Sequence, residues 1–373
     1  MKKISLLISL LLCLSLWACQ KQEPPALQAP QQVFTPTIEA VKDPEPEPQR
    51  VSFYGAGDNL IHNCLYWQAD DNAEGPDFDF TPMYAAVAKD IESADIAYIN
   101  QETILGGTEL GLSSYPMFNS PQEVGRDMIE LGFDVFSHAT NHVFDKGPAG
   151  MENTYRFYEG KDALCVGLYK TGEKNLKILE RRGVTVAFLN YTDLTNGFVN
   201  QSSDYYVPLA EESLMARETA EAAEAADFVI CLMHWGEEGQ ATPTGRQREL
   251  AKVLADAGCD AVIGTHPHVI QPVEYVDGML TVWSLGNYIS AQKAAANMVG
   301  GVIRFDMVKQ GAEKRIENVR FEPVINQYEA HFANIRIIPW KDYTEELANA
   351  HGAGITYAQL EDVIARQAEN SNY

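Results

Sequence analysis

Phe228-Val229-Ile230-Cys231-Leu232-Met233 is an unbroken apolar run, and it stops at His234-Trp235-Gly236-Glu237-Glu238. Before it, Glu211 to Ala226 carries a helical pattern; after it, Arg246 to Ala257 carries another. A second apolar run, Ala261-Val262-Ile263, follows that helix and stops at Gly264-Thr265-His266-Pro267-His268. Helix, strand, helix, strand in succession is the signature of a layered α/β fold.

The same alternation extends upstream. Val51 to Tyr54 reads as a strand, Pro82 to Ser93 as a helix, and Ile96 to Ile99 as a strand. Pro121 to Leu131 reads as a helix leading into Phe133-Asp134-Val135-Phe136, and Val184 to Leu189 as a further strand. After Gly300 the pattern turns β-rich, over Val302 to Val308 and Ile316 to Val324, and closes with a helix near Tyr357 to Gln367. No internal repeat is present.

Polar residues fall where the apolar runs end. Gly57-Asp58 with His62 follows the first run, and Asn100-Gln101-Glu102 the second. His138, Asn141, His142, Asp145 and Gly147 follow the third, His234 and Glu238 the fourth, and His266-Pro267-His268 the fifth. Six of the eight histidines lie in these clusters; only His331 and His351 do not. In layered α/β folds binding sites gather at the carboxyl ends of strands, so five such clusters can converge. One histidine at a strand end reads as structural. Five clusters together read as a metal centre.

The donor set is mixed nitrogen and oxygen: a His-x-His loop, carboxylates and an Asn oxygen, with no thiolate. It suits Zn, Mn or Fe. If the centre holds two ions about 4 Å apart, one acidic residue must bridge them so that both can polarise a phosphoryl oxygen.

Composition narrows the rest. The 373 residues carry 28 Lys+Arg against 52 Asp+Glu, a formal net charge of −24. That excludes broad electrostatic binding of nucleic acid or of an anionic lipid surface. An anionic substrate has to be held by local positive charge, such as metal ions, against the global field.

Residues 1–19 read as an export signal: Met1-Lys2-Lys3, an apolar run from Ile4 to Trp17, then Ala18-Cys19. Leu16-Trp17-Ala18-Cys19 resembles a bacterial lipobox, although the bulky Trp17 is unusual there, and a plain signal peptide with an incidental Cys is the alternative. Acylation of Cys19 implies a protein lipid-anchored to the outer face of the cell membrane. Residues 20–50, rich in Gln, Pro and Glu, read as an extended tether. Of the remaining cysteines, Cys165, Cys231 and Cys259 sit in apolar contexts and read as buried thiols; Cys64 adds a fourth, with no CxxC pair. A disulfide stays open, its pairing beyond the reach of sequence.

Together the motifs are recognisable. From Val51 to about Ser290 the chain resembles the bacterial capsule-synthesis family of CapA-like, poly-γ-glutamate proteins, whose domain is similar to calcineurin-like metallophosphatases. Carrying the resemblance are Gly57-Asp58, Asn100-x-Glu102, Asn141-His142-x-x-Asp145-x-Gly147, His234-Trp235-Gly236-x-Glu238, Gly264-x-His266-Pro267-His268 and Ser284-Leu285-Gly286-Asn287-Tyr288. It implies an α/β/β/α sandwich over residues 51–310, with residues 311–373 a β-rich then helical extension packed on the same body. It further implies that Asp58, Glu102 and His268 hold one divalent ion, and that Asn141, His234 and His266 hold a second with Glu102 as the bridge. His142 then protonates a leaving group or steadies the transition state, with Asp145 orienting it. Asn100, Glu238 and Asn287 are expected near substrate or behind the ligands.

Two departures are visible. His62 lies four residues after Asp58 where metallophosphatases place Asp and His two apart, which leaves its ligand role open. Thr140 stands where the family commonly has Asn, which bears on a substrate contact. His138 reads as structural. Two functions fit: a phosphoesterase-like hydrolase of the cell envelope, or an accessory lipoprotein that binds or tethers an anionic polymer alongside other capsule-synthesis proteins. A solute-binding lipoprotein fits poorly, since it needs two similar lobes and no histidine-rich cluster.

Overall fold

Alternate residues of the apolar runs serve two different cores. The computed structural model describes residues 47–373. The leader, Cys19 and the tether up to residue 46 lie outside the described residues. Strand β1 (Gln49–Asn59) turns Val51 and Phe53 to one face and Tyr54 and Ala56 to the other. Strand β2 (Ile96–Asn100) does the same with Ile96 and Tyr98 against Ala97 and Ile99. Both faces are covered, so these strands read as continuous apolar segments with no hydrophobic–polar alternation.

Next come β3 (Val135–Ser137), β4 (Leu164–Val166) and β5 (Tyr169–Lys170). Then follow β6 (Lys177–Arg181), β7 (Val184–Thr192), β8 (Tyr205–Tyr206), β9 (Phe228–His234) and β10 (Ala261–Thr265). The remainder are β11 (Val273–Val276), β12 (Met279–Val282), β13 (Asn287–Ile289), β14 (Val299–Gln310), β15 (Glu313–Glu329) and β16 (Ala333–Pro339). The first sheet runs β16-β15-β14-β1-β2-β3-β4, with β13 paired to the end of β1. Its β1 to β4 are mutually parallel, while β14, β15 and β16 are added antiparallel. The second sheet runs β11-β12-β10-β9-β7-β6, with β7, β9, β10 and β12 parallel. Strands β5 and β8 form a small separate ribbon.

Three apolar clusters separate four layers. One, between the sheets, joins Val51, Phe53 and Tyr98 to Val186, Phe188, Ile230 and Ile263. A second packs the outer face of the first sheet against helices Asn63–Asn72, Glu123–Glu130 and Gly147–Phe157 through Leu65, Met128 and Met151. A third packs Val229, Cys231 and Met233 against Met215, Leu250 and Leu254 of helices Glu212–Ala225 and Gly245–Asp256. This is the α/β/β/α arrangement expected from the sequence.

Local expectations fare unevenly. The helix read over Pro82 to Ser93 is two short pieces, Thr81–Tyr84 and Ala88–Glu92, separated by a turn. Strand β1 already includes Gln49 and Arg50, which composition alone assigns to the tether. The boundary drawn at residue 310 falls inside a β14–β15 hairpin, where Gln310 pairs with Glu313, so the C-terminal segment widens the first sheet. Cys165, Cys231 and Cys259 are buried free thiols and Cys64 is a half-buried one. Among the described residues no helix is long and apolar enough to cross a membrane.

Candidate metal centre

Two glycines let strand ends from the two sheets meet. A Cβ on Gly57 would stand 2.1 Å from the carbonyl oxygen of Gly286, and one on Gly264 would stand 2.0 Å from that of Trp283. With hydrogen there instead, the Asp58 N–H donates to the Gly286 carbonyl at 2.9 Å and the Leu285 N–H to that of Gly264 at 3.0 Å. The segment 283–286 therefore fastens β1 to β10. The Asp58 and His266-Pro267-His268 clusters arrive side by side.

Asp58 is fully used. Its Oδ1 accepts from Asn100 Nδ2 at 2.8 Å and from the His266 N–H at 3.3 Å, and its Oδ2 lies 3.0 Å from His268 Nδ1. Asn100 is held in turn by Ser137 Oγ, which donates to its Oδ1 at 2.7 Å. His266 and His268 take φ of 95° and 57°, left-handed values that non-glycine residues rarely adopt. Such strain, about 1–3 kcal/mol per residue, persists only where surrounding contacts enforce it, and it concentrates at functional sites.

Glu102 is the opposite case. It is 1% exposed, and neither carboxylate oxygen has a hydrogen-bond partner among the described residues. Its Oε1 instead faces two imidazoles, His268 Nε2 at 3.5 Å and His234 Nε2 at 3.9 Å. His234 Nε2 also lies 3.0 Å from Asn141 Oδ1, while its Nδ1 is taken by Thr265 Oγ1 at 3.2 Å. Thr265 Oγ1 donates its own proton to the Met233 carbonyl at 3.2 Å, so it accepts from Nδ1 and leaves Nε2, facing Asn141 Oδ1, with the lone pair that a ligand needs. His266 Nδ1 is likewise buried without a partner. Three groups of donor atoms fall within 4.8 Å of one another: Asp58, Glu102 and His268; Glu102, His234 and His266; Glu238, His266 and His268.

The charge balance of the cluster suits a cation. Burial penalises the charge on Glu102, and although His268 opposes this, Glu102 sits well above the usual carboxylate range. Burial works against charge on His268 too, but Glu102 and Asp58 outweigh it and push its pKa up to about 10. One imidazolium thus serves two carboxylates. Burial, reinforced by the neighbouring imidazoles, drives His266 down to about 3 and His234 well below its ordinary value, so both are neutral donors. A buried carboxylate whose lone pairs find no hydrogen-bond donor among the described residues, beside the neutral imidazoles of His234 and His266, fits a divalent ion, whose charge replaces the missing hydration.

Beside the cluster lies an imidazole–carboxylate pair. His142 Nδ1 lies 2.7 Å from Asp145 Oδ2, which also accepts the Phe118 N–H. Phe118 sets the edge of its ring against His142 at a centroid distance of 4.7 Å, and the other ring nitrogen has no partner among the described residues. His142 joins none of the three donor groups. Thr140 donates its hydroxyl to the Glu102 carbonyl at 2.9 Å and accepts the His142 N–H at 3.2 Å, so here it braces two site residues through their backbones.

The remaining candidates are sorted by geometry. Glu238 is exposed yet within reach of His266 and His268. Asn287 lies behind the site: it is the register partner of Asp58, and its Nδ2 donates to the His268 carbonyl at 3.4 Å. His62 belongs to no donor group among the described residues; its ring meets Phe118 edge-on and its Nδ1 receives the Ala291 N–H at 3.3 Å. His138 bonds Tyr158 at 2.8 Å, away from the cluster. Sequence reasoning passes over Thr265, Phe118 and Asn196, the last accepting from Asn141 Nδ2 at 3.3 Å. No residue-type signal marks them, because they act on ligands through contacts that form only on folding.

Residues 52–292 match the family described as bacterial capsule synthesis protein PGA_cap. A PGA biosynthesis protein CapA of Bacillus subtilis is 32% identical over 186 residues, covering 49% of each chain. A capsule biosynthesis protein CapA of Bacillus anthracis is 28% identical over 200 residues, covering 52% of this chain and 49% of its own. The chain thus spans about half the length of these curated relatives. A solved structure from Mycoplasma pneumoniae, described as a novel phosphatase, is similar at a TM-score of 0.49 and 10% identity, covering 75% of this chain and 95% of that one.

Proposed function

The chain belongs to the bacterial capsule synthesis family, and from that premise we propose that it is an exported, lipid-anchored envelope protein whose centre hydrolyses a phosphoester during synthesis or export of a capsule polymer of the poly-γ-glutamate type. The observation that carries the hydrolytic reading is Glu102. It is common to two donor groups, and both of its buried oxygens are unpartnered. That is the position a bridging carboxylate needs.

Asp58, Glu102 and His268 would hold one divalent ion of Mn, Zn or Fe, and Glu102, His234, His266 and Asn141 the other. When bound, such ions polarise the phosphoryl group and make water more acidic. The protein's own residues do the rest. Asp145 fixes the His142 tautomer, so a proton on the opposite nitrogen can be delivered to a leaving oxygen. Asn287 and Thr140 hold the backbones of His268, Glu102 and His142, keeping donors and acid in one geometry. Burial of the cluster keeps competing water low and strengthens each charge contact.

Membrane attachment rests on Leu16-Trp17-Ala18-Cys19, with the bilayer as partner through the acylated cysteine. The polymer and other capsule-synthesis proteins are the remaining partners this reading implies. Turnover of a generic phosphodiester by the purified protein, with Mn²⁺ or Zn²⁺ added and with Glu102→Ala as control, tests it. Metal bound without any metal-dependent turnover would leave the polymer-binding alternative in its place.

A further inference from the structure

Two loops reach the His142–Asp145 pair, and both carry apolar side chains into solvent. The first is closed by the Ser113–Asn119 backbone bridge and is tied to Asp145 through the Phe118 N–H. The second is tied to Asn141 through Asn196, and turns back where the Phe198 N–H meets the Thr195 carbonyl at 2.8 Å. Tyr115 is 79% exposed and Met117 42% on the first loop; Phe198 is 38% exposed and Val199 74% on the second. These are four of the nine large apolar side chains exposed among the described residues. Solvent-facing apolar groups gathered at one place mark binding surfaces.

The loops border an open cavity of about 190 Å³. Its walls are Met117, Phe144, Met151, Phe198 and Val199 with Gly147 and the polar Gln201, and Asp145 borders it, with Oδ1 buried and without a hydrogen-bond partner among the described residues. Apolar cavities of about 150 Å³ accept a benzene ring, so this one has room for a ring or a short aliphatic segment. Asp145 connects the cavity to His142, and Asn196 ties its second wall to the candidate ligand Asn141.

We infer that this cavity is a specificity subsite that takes an apolar substituent carried by the phosphoryl substrate, with Met117 and Phe198 as the selecting side chains. The inference rests on the hydrolytic reading of the adjacent centre. It makes the preferred substrate a phosphoester of an aromatic or aliphatic group, with an anionic end for the ions and an apolar body for the loops.

The test measures binding, independent of turnover. Phenylphosphonate and methylphosphonate, whose carbon–phosphorus bonds resist hydrolysis, are titrated by calorimetry into the purified full-length protein loaded with Mn²⁺ or Zn²⁺. The expected result is phenylphosphonate tighter by about tenfold or more, with the ratio of the two affinities falling toward one in Met117→Ala and Phe198→Ala. Both side chains are partly solvent-exposed, so melting temperatures should stay near that of the parent. Equal affinities in the parent, or an unchanged ratio in both variants, overturns the subsite and leaves the centre standing. Failure of either phosphonate to bind the metal-loaded protein overturns the centre and the subsite together.

Discussion

Glu102 and His268 face each other across 3.5 Å, carboxylate oxygen to Nε2, and the imidazole's other nitrogen is held 3.0 Å from Asp58. One imidazolium is thus shared by two buried carboxylates, and only Asp58 is hydrogen-bonded to it. The geometry leaves a deficit of positive charge at the spot where neutral His234 and His266 present nitrogen donors.

Removing that carboxylate should empty the centre. Glu102→Ala is expected to lose all tightly bound transition metal while staying folded in the absence of metal, since the Glu102 oxygens make no hydrogen bond among the described residues and Asp58 still pairs with His268. Elemental analysis of parent and variant checks this. Unchanged metal content would show that Glu102 does not bridge.

His142 should behave differently, because it lies outside all three donor groups. His142→Ala is expected to retain metal and fold while lowering phosphodiester turnover by roughly 10²–10⁴-fold, the usual contribution of a positioned acid. Asp145→Asn should fall in the same direction by a smaller factor. Loss of metal in His142→Ala would make it a ligand instead.

Gly57→Ala tests the junction of the sheets. The new methyl would meet the Gly286 carbonyl oxygen 2.1 Å away, and backbone cannot yield as a flexible side chain can. A loss of about 1–3 kcal/mol in stability is expected, with weaker metal binding because Asp58 and His268 are drawn apart. Thermal melting and metal titration of this variant give the two readouts.

Acid should destabilise the metal-free protein partly through His138, which burial holds down to about 3 in the folded state. Unfolded, it titrates near 6.5. Between those values only the unfolded state binds the proton, so stability is full above about pH 6.5 and falls as pH drops. His138→Gln should show a shallower decline of stability between pH 6.5 and 4.5, by up to about 1.4 kcal/mol per pH unit. Chemical denaturation across that range measures the slope; identical slopes would mean His138 is already protonated in the native protein.

For the amino-terminal segment, Cys19→Ser is expected to abolish acyl labelling and release the protein from the membrane fraction, since one residue supplies the whole covalent attachment. Metabolic labelling with a radiolabelled fatty acid reads this directly. Label retained by the variant would return residues 1–19 to a plain signal peptide.

The amino-acid sequence by itself determined the layers and where the chemistry gathers. Apolar runs such as Phe228–Met233, set between helical patterns, are strands covered on both sides, and polar residues placed at their carboxyl ends gather at one edge of the stack. The tertiary structure alone decided what holds each candidate ligand in place. The Asn141-His142-x-x-Asp145 motif already pairs His142 with Asp145, but nothing in the spacing shows that the His62 ring is set against Phe118 or that His138 bonds Tyr158. Those roles depend on contacts between residues far apart in the chain, and on two glycines whose missing side chains let the sheets close. The same holds for Met117 and Phe198, which look like ordinary loop residues until folding places them around one cavity beside Asp145. Periodicity is a local property that survives in one dimension, whereas the proton, ion and solvent each side chain meets is set by its neighbours in three.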